Sequence, residues 1–384
     1  MDNKEKNTQP QPCDLAARRG AVGGQAIVEG VMMRGKKHTA IAVRRLDNKK
    51  ISVTRKPNKS VADKCKILKW PLIRGVVNFV ESMVLSFSTI TAGTDMLGLD
   101  SVDEEQSKFD AWIEKHCGKW LIAVISAISV VLGVILAAGL FIFLPTFIGG
   151  LIFDNIDGLS GASAIIWRNI TEGVLKVIIF VAYIWLTALV PDMKRVYMYH
   201  GAEHKSIFCY EAGEELTVEN VKKHSRFHPR CGTSFMFSMI ILSIAVGIIF
   251  LWAVETVWLR SLLKIALLPV TVGIGYEFIR YAGRHDNAFI RALSKPGLWM
   301  QNLTTREPSD DIIEIGITAL KCALPDDFPG YYEERLAEME ESAAADENGE
   351  TTAETTEEAT ENTTENTTEN TEKNGNAVEG SVEA

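Results

Sequence analysis

Several sequence signatures of soluble enzymes are absent from this chain of 384 residues. It contains no Gly-x-Ser-x-Gly elbow and no Ser-His-Asp arrangement of the kind that hydrolases use. The Gly-rich run at residues 20–26 lacks the Gly-Lys-Ser/Thr ending of a phosphate-binding loop and does not match Gly-x-Gly-x-x-Gly. We therefore exclude nucleotide binding by this run, and we interpret its glycines as a tight turn against the rest of the protein.

Signals for export and for nucleic-acid binding are also missing. The first twenty residues are polar and have no apolar h-region, so no signal peptide is expected. The segment 18–74 is strongly basic, but its charge is explained by membrane orientation, as described below, and no nucleic-acid partner is expected. Much of the acid behind the net charge of −9 sits in the C-terminal tail, so the net charge says little about partners.

Long apolar runs dominate the middle of the chain and predict an all-α polytopic membrane protein with about four transmembrane helices. Runs of about 18 or more apolar residues with few charges indicate membrane spans rather than soluble core helices. We expect spans at residues 120–143 (continuing toward 153), 170–190, 235–254 and 262–279. Lys264, Pro269 and Glu277 interrupt the fourth span, which favours a position inside the bundle. The segment 70–90 is expected to be an amphipathic surface or re-entrant helix, or a helix packed on the cytosolic domain.

The distribution of Lys and Arg predicts the orientation of these spans. Positive charge is concentrated before the first span, within the segment 191–234 and after the fourth span, whereas Arg168 is the only Lys or Arg in the segment 154–173. The positive-inside rule then places both termini and the segment 191–234 in the cytosol. All the cysteines fall on this side, which suits a reducing compartment and favours thiols or metal ligands over disulfides: Cys13, Cys65, Cys117, Cys209, Cys231 and Cys322.

The polar parts of the chain predict small soluble elements. Residues 39–45 and 50–55 alternate polar and apolar side chains around Asp47 and Asn48, which indicates a β-hairpin. Ser309 stands at the N-cap position of an amphipathic helix. The expected organisation is a disordered N-terminus (1–19), a cytosolic β-hairpin region (20–69), an amphipathic or interfacial segment (70–118), transmembrane helices 1–2 (119–190), a cytosolic His/Cys-rich loop (191–234), transmembrane helices 3–4 (235–281), a cytosolic helical region (282–342) and a disordered acidic tail (343–384).

Candidate catalytic residues come directly after the second expected span, where His200, Glu203 and His204 form the pattern H-x-x-E-H. This pattern matches an inverted zinc-protease motif. Two histidines four residues apart lie on one face of a helix and can reach the same divalent ion, and an adjacent carboxylate can act as a base. The pattern predicts His200 and His204 as metal ligands and Glu203 as a catalytic base.

A second set of candidate metal ligands follows in the same segment: His224, His228 and Cys231. The chain has only 7 His and 6 Cys, so this concentration of soft and borderline ligands indicates a zinc or iron site. One tetrahedral ion needs four ligands, so the sequence leaves open a single ion with an open position, two ions, or one ion with some histidines outside its first shell. The competing interpretation is that these histidines bind backbone carbonyls or lipid head groups at the membrane interface.

Five motifs resemble the YqhQ-like family, a group of bacterial membrane proteins described as predicted metal-dependent enzymes. They lie between about residues 20 and 324, at residues 23–34 (GGQAIVEGVMMR), 200–205 (HGAEHK), 228–235 (HPRCGTSF), 296–299 (PGLW) and 303–308 (LTTREP). The resemblance implies a location in the bacterial cytoplasmic membrane. The acidic tail is not part of this family's pattern.

The leading hypothesis is a membrane-bound, metal-dependent enzyme at the cytosolic face, with zinc as the preferred ion. The H-x-x-E-H histidines would hold the ion together with His228 or Cys231, and Glu203 would act as the base. Hydrolysis of a membrane-associated or lipid-linked substrate is the expected reaction class. The alternative is a non-enzymatic accessory or scaffold protein with a structural metal site. A transporter is disfavoured because the expected spans carry almost no midplane charge and show no inverted repeat. The lipid bilayer is the expected partner, and homo-oligomerisation is compatible with the sequence.

Overall fold

The computed structural model describes residues 22–61, 65–98, 124–125, 127–153, 162–252, 254–282 and 288–341. The chain divides into two compact units, Met1–Phe328 and Pro329–Ala384. The second unit contains a helix at residues 331–341. The expected disordered N-terminus, the expected acidic tail and the segment 154–161 between the first two expected spans lie outside the described residues.

The N-terminal part of the first unit is a four-stranded antiparallel sheet rather than a single hairpin. Its strands are β1 (Gly23–Ile27), β2 (Gly30–Arg34), β3 (His38–Arg44) and β4 (Ile51–Pro57), and they pair in the order β1-β2-β3-β4. The expected hairpin is β3–β4. The interpretation of the Gly-rich run as a tight turn was wrong, because its second half forms β1. The description of the fold as all-α with a hairpin is therefore too narrow: the protein is mostly helical with a complete sheet.

The sheet has two faces, and one of them is covered by the helix that follows the sheet. Side chains alternate along a strand, and paired residues share a face, so the register Gly24↔Met33↔Ala40 defines one face and Met32↔Ile41↔Thr54 the other. We call these the Met33 face and the Ile41 face. The Ile41 face packs in a cluster with the helix that follows the sheet, through Leu85, Ala92 and Met96.

The helices of the first unit follow the sheet in chain order, after a 3₁₀ turn at Lys66–Lys69. They are α1 (Ile73–Asp95), α2 (Ala127–Phe153, with a π-helical turn at Gly139–Phe143), α3 (Ala162–Thr187), α4 (Pro191–Ala212), α5 (Val218–Lys223), α6 (Gly232–Phe250), α7 (Val257–Ala266), α8 (Leu268–Ala282), α9 (Ala288–Thr304) and α10 (Asp310–Ala323). The expected helix after Ser309 is α10, with Ser309 as its N-cap residue.

Three helices, α1, α2 and α3, are long and apolar enough to cross a membrane. The pair α7 and α8 would form a fourth span, bent by 46°. Pro269 lies at this bend and lacks the N–H that would continue the helix. The number agrees with the expected four spans. The expected span at 235–254 corresponds to α6, 19 residues long, within which Met236–Phe250 is a shorter apolar helix, and α1 also has the length and composition of a span.

Helix α1 connects α8 to the sheet. Near its N-terminal end, Arg74 Nε donates to Glu277 Oε1 at 2.6 Å, and a Cβ atom on Gly75 would lie 2.9 Å from Gly273 Cα, so α1 and α8 are in backbone contact there. Toward its C-terminal end, α1 packs on the Ile41 face. The position of Glu277 on α8 is thus explained by an ion pair with α1.

A buried ionic network joins α3 to α7, in contrast to the expectation of nearly uncharged spans. The Glu172 carboxylate accepts hydrogen bonds from Arg168 (3.3 Å) and Arg260 (3.1 Å) and pairs with Lys264. The Arg260 side chain is only 1% exposed and also donates to two backbone carbonyls beyond α6, at 3.0 and 2.9 Å. Charges in apolar helices persist when they are paired in this way. Arg168, which lies before the expected second span, is on α3 as part of this network.

Candidate metal centre

The helix that carries the H-x-x-E-H residues, α4, begins at Pro191 and ends before Gly213. Proline is favoured at a first helical position because its missing N–H would have no intrahelical partner. Gly213 has a φ of 77°, in the left-handed region that glycine adopts without strain, and its N–H donates to the Tyr210 carbonyl at 3.1 Å. The segment 191–234, expected to be a loop, is therefore largely helical.

Helix α4 is a core helix, and small residues allow its neighbours to approach its backbone. A Cβ atom on Gly201 would lie 2.1 Å from the Arg306 carbonyl oxygen, and one on Gly316 of α10 would lie 2.8 Å from Ser206 Oγ. Every residue from Gly201 to Ile207 is buried. The site residues on α4 are consequently fixed by packing and shielded from bulk water.

Both histidines of the motif are oriented by backbone carbonyls. His200 Nδ1 lies 2.7 Å from the Thr304 carbonyl oxygen, and His204 Nδ1 lies 2.6 Å from the Arg226 carbonyl oxygen. A carbonyl only accepts hydrogen bonds, so each Nδ1 carries the proton and each Nε2 keeps a free electron pair. Metal-bound histidines in proteins are oriented by this kind of hydrogen bond.

Cys231 completes a compact group with these two histidines. It is the N-cap residue of α6, and its Sγ lies 3.3 Å from His200 Nε2. Ligand atoms of His200, His204 and Cys231 all lie within 4.8 Å of one another. Two ligands of a tetrahedral zinc ion, with bonds of about 2.0–2.3 Å, are roughly 3.5 Å apart. The spacing of the group thus fits one ion.

His228 adds a third imidazole beside this group. Its ring centroid is 5.4 Å from that of His204, and Gln301 clamps its backbone with two hydrogen bonds of 2.7 Å. Burial, and then the neighbouring His204 and Arg230 side chains, lower the pKa of His228 to about 3, so the ring is neutral. Its buried Nε2 has no hydrogen-bond partner among the described residues. A buried, unpartnered imidazole nitrogen beside His204 is available as a further metal ligand, although His228 is not among the three residues whose ligand atoms all lie within 4.8 Å of one another.

Glu203 lies against β1, next to the histidine group. It is buried, and it accepts a hydrogen bond from the Gly24 backbone, where an added Cβ atom would come within 2.8 Å of Glu203 Cγ. Burial raises the pKa of Glu203 to about 7, against the opposing effects of His200 and of the Gly24 N–H. A carboxyl group with this pKa can both accept and donate a proton at neutral pH.

His224, by contrast, is not brought to the group formed by His200, His204 and Cys231. Its Nε2 lies 3.3 Å from Glu214 Oε2, and with Cys209 these residues form a separate cluster whose ligand atoms lie within 4.8 Å of one another. The single segment rich in His and Cys is therefore divided between two places in the fold, one at each end of the C-terminal half of α4.

Sequence reasoning did not identify the residues that hold the site in place. Thr304 and Arg226 contribute only backbone carbonyls, Gln301 clamps the backbone of His228, and Gly24 makes room for Glu203. A backbone carbonyl has no side-chain signature, so no ligand pattern could have selected these positions. The motifs at residues 23–34 and 303–308 were the only signals, since they include Gly24 and Thr304.

Comparison with known proteins assigns the chain to a family. A family model described as "Protein of unknown function (DUF1385)" matches residues 70–326, well over half of the chain. The chain belongs to this family. It is also 35% identical over 298 residues to the "Uncharacterized protein YqhQ" of Bacillus subtilis (strain 168), covering 77% of this chain and 90% of that protein. No solved structure matches the chain. The resemblance seen in the sequence motifs is thereby confirmed, and the helices that carry the candidate ligands all lie within the matched region.

Proposed function

We propose that this DUF1385 protein is a membrane-bound, metal-dependent hydrolase. Its substrate would be membrane-associated or lipid-linked and would be processed on the cytosolic side of a bacterial membrane. Its zinc ion would be held by three donors, His200, His204 and Cys231, and the fourth position would be open to water, with His228 beside it. The observation that carries the proposal is the arrangement of the H-x-x-E-H histidines. Each donates its Nδ1 proton to a carbonyl, His200 Nε2 lies 3.3 Å from Cys231 Sγ, and ligand atoms of the two histidines and Cys231 all lie within 4.8 Å of one another.

The residues around the ligands support a catalytic rather than a passive role. A bound zinc ion supplies Lewis acidity and lowers the pKa of a coordinated water. Glu203 is buried three residues from His200 and has a pKa near 7, which suits a group that takes a proton from water and returns it to a leaving group. The Gly24 N–H holds this carboxyl group in position. An acid with no catalytic task is rarely buried without a cationic partner.

The alternative function is a non-enzymatic membrane accessory or scaffold protein with a structural metal site. Two observations favour it: His204 is only 1% exposed, and the group includes a cysteine, which is common in structural zinc sites. In that case the ion would fasten α4 to the N-terminus of α6 and to the segment between α5 and α6. Glu203 would then be a buried acid that binds β1.

The first test is the metal content of the full-length protein purified in detergent. We expect about one zinc per chain in the wild type, and a large loss in His204→Ala, because removal of one ligand weakens zinc binding steeply. His224→Ala is a matched control, because it removes the same side chain from the neighbouring cluster, and it should keep the metal. Wild-type protein without metal, or equal metal in all three proteins, would refute the site.

The second test uses Glu203→Gln to separate the two functions. This substitution preserves shape and removes the charge, so a catalytic Glu203 predicts full zinc content and an unchanged melting temperature, together with failure to complement a strain that lacks the gene. Full complementation by a zinc-loaded Glu203→Gln protein would refute the hydrolase proposal and favour the structural alternative. Loss of zinc in this variant would instead make Glu203 a ligand and contradict its role as a base.

A further inference from the structure

A cavity lies on the opposite side of the sheet from Glu203. It has a volume of about 430 Å³ and is enclosed by the Ile41 face and by α1. Its floor includes Thr39, Ile41 and Thr54, which share that face by register, whereas Gly24, which contacts Glu203, belongs to the Met33 face. The size is within the range of small-molecule sites. The sheet therefore separates this cavity from the candidate metal centre.

One end of the cavity is closed by the chain that follows β4. Glu81 of α1 accepts hydrogen bonds from Ser60 Oγ at 2.9 Å and from the Val61 N–H at 2.6 Å. On the strand side, Thr39 Oγ1 lies 2.6 Å from Asn58 Oδ1. These contacts fasten the segment 58–61 across the space between the sheet and α1, so the cavity has defined walls.

The charge on the cavity rim is positive. Arg34, Lys56 and Lys59 line it, and Glu81 is the only acidic residue among its described lining residues. No salt bridge joins any of these three cations to an acidic side chain in the part of the chain that the structure describes. Three unneutralised cations around one small opening attract an anion, and arginine and lysine are the usual phosphate-binding side chains.

An exposed apolar stripe on α1 continues from the cavity wall. Its members recur at helical spacing and are between 45% and 64% exposed: Phe79, Val80, Met83, Val84, Phe87 and Ile90. Val80 and Val84 belong both to this stripe and to the cavity lining. A continuous apolar stripe of this kind is stable against lipid rather than water. The cavity is consequently continuous with a surface suited to the acyl region of a membrane.

We propose that this cavity binds one anionic phospholipid from the membrane. The phosphate would bind Arg34, Lys56 and Lys59, and the acyl carbons would lie along Val80 and Val84. A soluble phosphate ester would leave the apolar walls unused, and a zwitterionic lipid has no net negative charge to offset the positive rim. The site is independent of the proposed hydrolase activity, because it lies on the other face of the sheet.

The test measures lipid retention by native mass spectrometry of the full-length protein in detergent. The protein is delipidated and offered phosphatidylglycerol and phosphatidylcholine of equal chain length at equal concentration. We expect one phosphatidylglycerol per chain, retained at least tenfold over phosphatidylcholine. Replacement of Arg34, Lys56 and Lys59 by glutamine should lower this retention at least tenfold. The matched control replaces Lys36, Lys49 and Lys50, which do not line the cavity, and should retain phosphatidylglycerol like the wild type.

Two further arms keep the result decisive. Ser88→Trp, which places a large side chain in the cavity from α1, should lower phosphatidylglycerol retention without any change in charge. Inorganic phosphate at millimolar concentration should not displace the lipid. Equal retention of the two lipids, equal retention by the two triple variants, or displacement by free phosphate would each overturn the proposal. If the triple variant does not fold, the Lys56→Gln, Lys59→Gln double variant decides the question, because both side chains are exposed.

Discussion

Replacing Gly201 by alanine should destabilise the protein at its candidate metal centre. The added Cβ atom would lie 2.1 Å from the Arg306 carbonyl oxygen, far inside van der Waals contact, and the obstacle is backbone rather than a flexible side chain. The Arg306 N–H also donates to the Tyr197 carbonyl at 2.8 Å, so this segment is bonded to α4 and cannot move away freely. The substitution must therefore separate α4 from the segment after α9.

The expected loss of stability is the sum of two costs and one gain. Overpacking of a well-packed site costs about 1–3 kcal/mol, and loss of one hydrogen bond adds about 1 kcal/mol. The higher helix propensity of alanine returns about 1 kcal/mol. The net loss is about 1–3 kcal/mol, which corresponds to a fall in melting temperature of about 2–4 °C per kcal/mol. Zinc content should fall as well, because Thr304, which orients His200, is the last residue of α9 and lies only two residues before Arg306 in the displaced segment.

Gly232→Ala is the matched control, because each glycine directly follows a proposed ligand. A Cβ atom on Gly232 would meet nothing within 4 Å, so this variant should keep its zinc and melt at or slightly above the wild-type temperature. The assay is thermal unfolding in detergent, combined with zinc analysis. A Gly201→Ala protein that matches Gly232→Ala in both measurements would refute the described packing of α4 against the segment after α9.

Other predictions concern topology and the buried charges. Reporter fusions at Gly20 and Ala343 should give cytosolic signals and a fusion at Ser160 an external one, as the positive-inside rule requires; an external signal at Ala343 would contradict the predicted orientation. Truncation after Ala343 should leave membrane accumulation unchanged, because Glu/Thr/Asn repeats bury no apolar surface, and loss of the protein from membrane fractions would refute this. Arg260→Ala should cost about 3–5 kcal/mol in thermal unfolding, since it leaves a buried carboxylate on α3 with fewer partners. Lys222→Ala, which breaks a half-exposed pair, should cost less than about 1 kcal/mol, and equal losses would contradict this account of the network.

Local patterns predicted the features that depend on neighbouring residues. The alternation around Asp47 predicted β3–β4, the residues after Ser309 predicted α10, and the apolar runs predicted a multi-helix membrane protein with about the observed number of candidate spans. Strand β1 was missed because glycine is depleted in strands, and the run Gly23-Gly24 has the composition of a turn. Glycine is nevertheless needed at position 24 of this strand, because a side chain there would clash with Glu203.

Span identity was less predictable than span number. Hydropathy counts apolar residues along the chain and does not register where a helix ends, so the third span was expected to continue to residue 254 although α6 ends at Phe250. Helix α1 was expected to be interfacial, re-entrant or packed on the cytosolic domain, whereas it has the length and composition of a span. Arg168 fell outside the expected second span because a sequence window cannot show that Arg168, with Arg260 and Lys264 of α7, pairs with Glu172. A buried ion pair requires two segments to meet, and that meeting is a tertiary event.

The sequence by itself determined the chemical identity of the site: the spacing of His200 and His204 on one helix, and the presence of His228 and Cys231 nearby in the chain. Only the tertiary structure decided which candidates meet. It brought Cys231 to His200 and left His224 with Glu214, although both lie at similar distances along the chain from the motif. The reason is that ligand spacing within a helix is set by the helical repeat, whereas spacing across a turn is set by the packing of α5, α6 and α9, which no local pattern encodes.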